Sequence, residues 1–240
     1  MKKVAFWSSS WTKKSLICLV MGWFLFSMMS CGSLKSKEAK ELEKTPEALI
    51  QEGLDAYQRK NYEKAAEAFQ KLKDRFPYNQ YAIVAELKLA DSHFLKKEYA
   101  LAIVAYKEFE KLHPANEIIP YVIFQLGMCN FKQMPTIDRD QSYSLRAVEE
   151  FERLIKNYPQ TEYASQAQTH IISAQKNLAS HEFYIGKFYF NKKDYKAALG
   201  RFEGIQNQFS DKSHPPNLKN YIEICKEKLA QTQPLKDKTP

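Results

Sequence analysis

The sequence predicts an all-α fold: a solenoid of about four helical hairpins closed by one C-terminal helix. Composition points there first. The 240 residues hold only 7 Gly, 6 Val and 7 Thr against 22 Ala, a balance that favours helices over strands. Apolar residues at 44% and aromatics at 13% exclude a globally disordered chain. An internal period is the stronger signal. Tyr62, Ala65, Phe69, Leu72 and Pro77 recur 37 residues later as Tyr99, Ala102, Tyr106, Phe109 and Pro114. Ala147, Phe151, Leu154 and Pro159 follow after 37 plus 8 residues, and Tyr195, Ala198, Phe202 and Ile205 form a fourth copy in which Ser210 replaces the proline. Upstream, Gly53, Ala90, Gly127 and Gly186 mark the partner helices, and the eight extra residues fall between Gly127 and Ala147.

Each column has a physical reading. Gly or Ala at a helix crossing lets two rods approach. Phe69, Tyr106, Phe151 and Phe202 fill the space between repeats. The prolines stop one helix and redirect the chain. The predicted helices are Pro46 to Lys60 with Thr45 as cap, Tyr62 to Arg75, Tyr81 to Lys96, Tyr99 to Lys111, Pro120 to Phe131 and Ser142 to Asn157. From Tyr163 to Asn191 the apolar stripe keeps helical phase past Gly186, so one long helix or two nearly collinear ones are expected. Asp194 to Phe209 follows. Pro216 to Ala230, with Leu218, Tyr221, Ile222, Cys225 and Leu229 on one face, reads as the cap of the stack. The pattern resembles the tetratricopeptide repeat, a helical hairpin of about 34 residues.

Residues 1–30 are set apart. They carry Lys2, Lys3, Lys13 and Lys14, no acid, and an apolar run from Leu16 to Phe26. That run is short of the roughly 20 residues a membrane-spanning helix needs and fits a signal-peptide core. Ser30 before Cys31 resembles a bacterial lipobox, which implies lipidation of Cys31, cleavage before it and anchoring in the outer membrane on the periplasmic face. Removing residues 1–30 lowers the net charge from +8 to +4, which gives no reason to invoke nucleic acid. Residues 31–44 are expected to be a flexible tether, 45–232 the solenoid and 233–240 a disordered tail. Cys129 and Cys225 lie on apolar helical stripes and are expected to be buried thiols.

Lipobox, tether and repeats in this order resemble the BamD family, the repeat lipoproteins of the outer-membrane β-barrel assembly machine. The quoted repeat columns carry the resemblance, with the insertion Asp138-Arg139-Asp140-Gln141 and the fourth-repeat stretch Arg201-Phe202-Glu203. It implies N-terminal repeats that engage unfolded outer-membrane proteins, and C-terminal repeats that dock onto the barrel-forming core subunit beside accessory lipoproteins. Candidate groove residues, one step off the packing stripe of the first helices, are Leu54, Tyr57, Leu87, Asp91, Phe94, Phe124, Met128 and Phe131. The family's Arg-x-Glu stretch makes Arg201 and Glu203 the partner-binding candidates. A different repeat lipoprotein, in pilus assembly or cell division, is the alternative.

Catalytic readings fail. After His181-Glu182 the second His of a zinc-protease motif would fall at Ile185, and there is no phosphate loop or nucleophile elbow. The five His show no ligand spacing with Cys129 or Cys225. The expectation is a non-enzyme without metal or cofactor, apart from the lipid on Cys31. Asp138, Arg139 and Asp140 are expected to shape a loop or cap the next helix.

Overall fold

The computed structural model describes residues 44–232. The expected signal peptide, Cys31 with nearly all of its tether, and the tail 233–240 lie outside the described residues. Nine α-helices follow one another among the described residues: α1 (Pro46–Gln58), α2 (Tyr62–Arg75), α3 (Ala82–Leu95), α4 (Tyr99–Leu112), α5 (Ile119–Phe131), α6 (Ser142–Asn157), α7 (Glu162–Asn191), α8 (Tyr195–Gln208) and, after a 3₁₀ turn at Asp211–Ser213, α9 (Leu218–Thr232). Within the unit that begins at Ile50, each helix from α2 onward packs on its neighbour in the chain. The short connections make successive helices antiparallel.

The repeat columns are the core. Ala65, Ala102, Ala147 and Ala198 are all fully buried, as are Phe69, Tyr106, Phe151 and Phe202. Each burial of a large ring is worth about 1.5–3 kcal/mol. The glycine column is a matter of close approach. A Cβ on Gly53, Gly127 or Gly186 would stand 2.4 Å from Cε1 of Phe69, Phe151 or Phe202 respectively. The rings therefore sit on the first helix of their own hairpin, besides filling the space toward the next repeat. Phe151 also stacks on His170 of α7, and Phe202 meets Tyr221 of α9.

The turns inside hairpins one, two and four share one geometry. Lys60, Lys97 and Lys193 adopt φ of 59°, 64° and 61°, the left-handed region where glycine is the relaxed residue. In the first, Lys60 N–H donates to Tyr57 C=O and Asn61 N–H to Ala56 C=O, closing the helix end in a Schellman motif. Asn61 then caps α2 by accepting from Lys64 N–H at 3.2 Å, and Asp194 likewise caps α8 at Ala197 N–H. The turns between hairpins use the pre-proline residue instead. Phe76, His113 and Tyr158 end their helices with φ near the extended range and donate back to Leu72, Phe109 and Leu154. Phe209, which precedes Ser210 rather than proline, leads into the 3₁₀ turn.

α7 is one unbroken helix of 30 residues, about 45 Å long at 1.5 Å per residue. Its first half buries Ala167 and Ile171 in the cluster that holds Tyr106, Phe124 and Phe151. Its second half buries Ala179 in the cluster that holds Ala198, Phe202 and Cys225. A single rod thus closes the third hairpin and opens the fourth. α9 adds Leu218, Ile222 and Cys225 to that last cluster.

Candidate interaction site

The first helices α1, α3 and α5 carry the eight residues expected to line a groove. Six stay partly exposed: Leu54, Tyr57, Leu87, Phe94, Met128 and Phe131. Leu87, Phe94, Met128 and Phe131 nevertheless pack against the core with part of their surface. Two belong to the interior, which corrects the expectation. Phe124 is 7% exposed, because it is enclosed by the rings of Phe151, Tyr163 and His170. Asp91 is 3% exposed, because it serves as an acceptor between repeats. The hydroxyls of Tyr106 on α4 and Tyr121 on α5 each donate to its Oδ1 at 2.8 Å. Lys88 Nζ donates to its Oδ2 at 2.8 Å and lies over the ring of Tyr57, 4.9 Å from its centroid.

This polar chain runs from α1 through α3 and α4 to α5. Its electrostatics follow from burial beside a carboxylate. The Tyr57 phenol is pushed up to about 12, first by desolvation and then by Asp91. Tyr106 and Tyr121 are raised by the same causes. Both hydroxyls therefore remain donors, and a buried carboxylate with three donors is satisfied rather than stranded. The half-exposed side chains beside this chain, Leu54, Leu87, Phe94, Met128 and Phe131, are apolar or aromatic, while the Lys88 ammonium is paired with Asp91.

In the C-terminal half, Arg201 on α8 is 45% exposed and donates to Glu182 on α7 at 2.8 Å. Glu203 pairs with Lys226 on α9 at 2.8 Å. Both expected partner-binding residues thus sit on the same helix but hold intramolecular partners. Sequence reasoning missed a cleft of about 800 Å³ between α6, α7 and the 3₁₀ turn, lined by Ile155, Ile171 and Ile172 together with Lys156, Gln175 and Lys212. No motif marks it, because its walls come from three separate segments.

The insertion is built, not loose. Gln141 is buried; its amide donates to the carbonyls of Thr136 and Arg139, each at 2.9 Å, and its Oε1 accepts from Ser144 and from Asn177 of α7. Asp140 accepts from Ser142 N–H at 3.0 Å. His181 Nδ1 lies 2.6 Å from the carbonyl of Ile137. The structural role expected for these residues agrees with these bonds, although the pinning residue is Gln141. Cys129 and Cys225 are buried free thiols, and desolvation raises Cys129 to about 12. No group of three or more His, Cys, Asp or Glu among the described residues could hold a metal ion, and no described helix is long and apolar enough to cross a membrane.

Stacked helical hairpins with a half-exposed aromatic face define the class: a tetratricopeptide-type repeat scaffold. Comparison with known proteins narrows it. The family model YfiO, described as outer membrane lipoprotein, matches residues 42–239, and the chain belongs to this family. It is 32% identical to outer membrane protein assembly factor BamD of Rickettsia prowazekii over 76% of this chain and 73% of the relative. It is 29% identical to the BamD of Caulobacter vibrioides over 79% of this chain; the match spans 63% of that relative's length. A solved structure of the TPR2AB domain of yeast Sti1 in complex with pHSP90 is similar at 15% identity and a TM-score of 0.44, over 78% of this chain and 71% of that one. The repeat assignment rests on the chain's own packing.

Proposed function

We propose that the protein is a non-catalytic scaffold of the outer-membrane β-barrel assembly machine. It is anchored to the outer membrane by lipid on Cys31 and faces the periplasm. The observation that carries this reading is the match to relatives named as outer membrane protein assembly factors over three quarters of the chain. In this reading the half-exposed aromatic and apolar side chains of α1, α3 and α5 bind unfolded outer-membrane proteins, since such surfaces adapt to extended or helical segments. α8 docks onto the barrel-forming core subunit, with Arg201 offering its planar guanidinium to a partner carboxylate. Accessory lipoproteins join the same assembly.

Pull-down of the intact lipoprotein from envelopes tests it. Recovery of the barrel-forming core subunit is expected; recovery of pilus or division proteins without it would overturn the reading. Cys31→Ala is expected to abolish acyl labelling and release the protein from membranes. Labelling that persists in that variant would refute the anchor.

A further inference from the structure

Among the described residues, the first helices α1, α3 and α5 carry a single Lys or Arg, Lys88. The second helices α2, α4 and α6 each carry at least two. The helices with the half-exposed apolar and aromatic side chains thus hold one cation between them. An ammonium in that position is a natural receptor for a carboxylate, but this one is already taken. Its side chain is 31% exposed, lies over the Tyr57 ring at 4.9 Å and donates at 2.8 Å to Oδ2 of Asp91, which is 3% exposed. Other acids of these helices turn elsewhere: Glu52 pairs with Lys64, Glu86 with His113, and Asp55 accepts from Gln51.

Asp91 is held in place from two further helices. Its Oδ1 accepts the hydroxyls of Tyr106 on α4 and Tyr121 on α5, each at 2.8 Å. A ligand carboxylate that drew Lys88 away would leave a buried charge without its counter-ion, the costly way to break such a pair. A carboxylate that shared Lys88 would stand close to a like charge. A neutral carbonyl meets neither penalty. An ammonium has three N–H donors, so it can serve a backbone carbonyl while the pair with Asp91 stays closed.

We propose that Asp91 sets the specificity of the client-binding face by neutralising Lys88, so that the face takes uncharged apolar and aromatic stretches of an unfolded chain and rejects acidic ones. This rests on the reading that α1, α3 and α5 bind clients, and it adds which segments they take. Asp91 is a positioning residue, since it acts on the ligand through Lys88.

The test is fluorescence anisotropy with two dye-labelled, end-blocked octapeptides, one alternating Phe and Gln, the other Phe and Glu. The full-length protein is held in phosphatidylcholine nanodiscs, and empty discs give the blank. The wild-type protein should bind the Gln peptide more tightly by about threefold or more, because the Glu peptide must bury charge that finds no free partner. Salt should change the affinity for the Gln peptide little. Asp91→Asn keeps an oxygen for the two hydroxyls and frees Lys88. The preference should then move toward the Glu peptide by about fivefold or more, and binding of that peptide should weaken in salt. Unchanged circular dichroism checks the fold. Lys88→Gln, at a half-exposed position, is the second variant. It leaves the Asp91 charge uncancelled and should widen the preference for the Gln peptide. A wild-type preference for the Glu peptide, or one preference shared by all three proteins, would overturn the inference alone. Binding of neither peptide by any of them would overturn the client-binding reading of this face, and the inference with it.

Discussion

The ring of Phe151 lies against the backbone of Gly127, so closely that a Cβ there would stand 2.4 Å from Cε1 and 2.6 Å from Cδ1. Phe151 is fully buried and hemmed by Phe124, Phe131 and His170, so it has nowhere to move. Gly127→Ala is expected to destabilise the protein by about 1–3 kcal/mol through overpacking. A urea midpoint indistinguishable from wild type would show that the hairpin can open at this crossing without cost.

Gln141 ties the insertion to α7 through Asn177 and to its own loop through Thr136 and Arg139. Gln141→Ala strands those acceptors and the Ser144 hydroxyl, at a cost of about 1–3 kcal/mol. Limited proteolysis is then expected to cut between residues 134 and 141 faster than in the wild-type protein. Identical digestion patterns would mean that His181 and Asp140 suffice to hold the loop.

Lys97 pays for its left-handed backbone, and Lys97→Gly relieves it. The gain is roughly 0.5–1 kcal/mol after the extra freedom of the unfolded chain is counted. Lys97→Val, which is β-branched at the same φ, should lose more than that. Thermal melts of the two variants should move in opposite directions; a common direction would rule out backbone strain as the cause.

Alkaline stability has a definite sign. The Tyr57 phenol and the Cys129 thiol are both raised to about 12 from ordinary values of 10.0 and 9.0, chiefly by burial, and Tyr121 is raised too. The folded state thus keeps these protons longer than the unfolded chain. Their contribution is complete below about pH 9 and is lost as pH rises through 10 toward 12. The denaturation midpoint should therefore stay level near neutrality and fall above about pH 10, with a shallower fall in Tyr121→Phe. A midpoint that stays constant to pH 11 would contradict the buried position of these groups.

Arg201→Asp replaces an exposed ion pair with two facing carboxylates at Glu182. Exposed pairs are worth about 1 kcal/mol at most, so helicity should be retained. Copurification with the barrel-forming core should weaken. Undiminished recovery would leave Arg201 as the partner of Glu182 alone.

Much of the fold was legible before any coordinates. The Ala65, Ala102, Ala147 and Ala198 column, its aromatic companions and the glycines one helix earlier specified paired rods in a stack, because crossing helices tolerate only small side chains at contact. The site was less legible. Asp91 and Phe124 share helical phase with surface positions, yet both turned out to be interior. Phase alone cannot register that α5 brings Tyr121 over Asp91, or that α7 lays His170 across Phe124. Lys60, Lys97 and Lys193 escaped notice because a left-handed residue is expected to be glycine.

The sequence by itself determined the helices, their order, the hairpin pairing and the place of the insertion, since these follow from local periodicity and from side-chain size at contacts that recur. Only the tertiary structure decided that α7 runs unbroken through two clusters, that Asp91 joins two repeats and that Gln141 is the pin of the insertion. Each of those depends on which residues distant in the chain arrive at the same place, and that is set by the packing of whole helices.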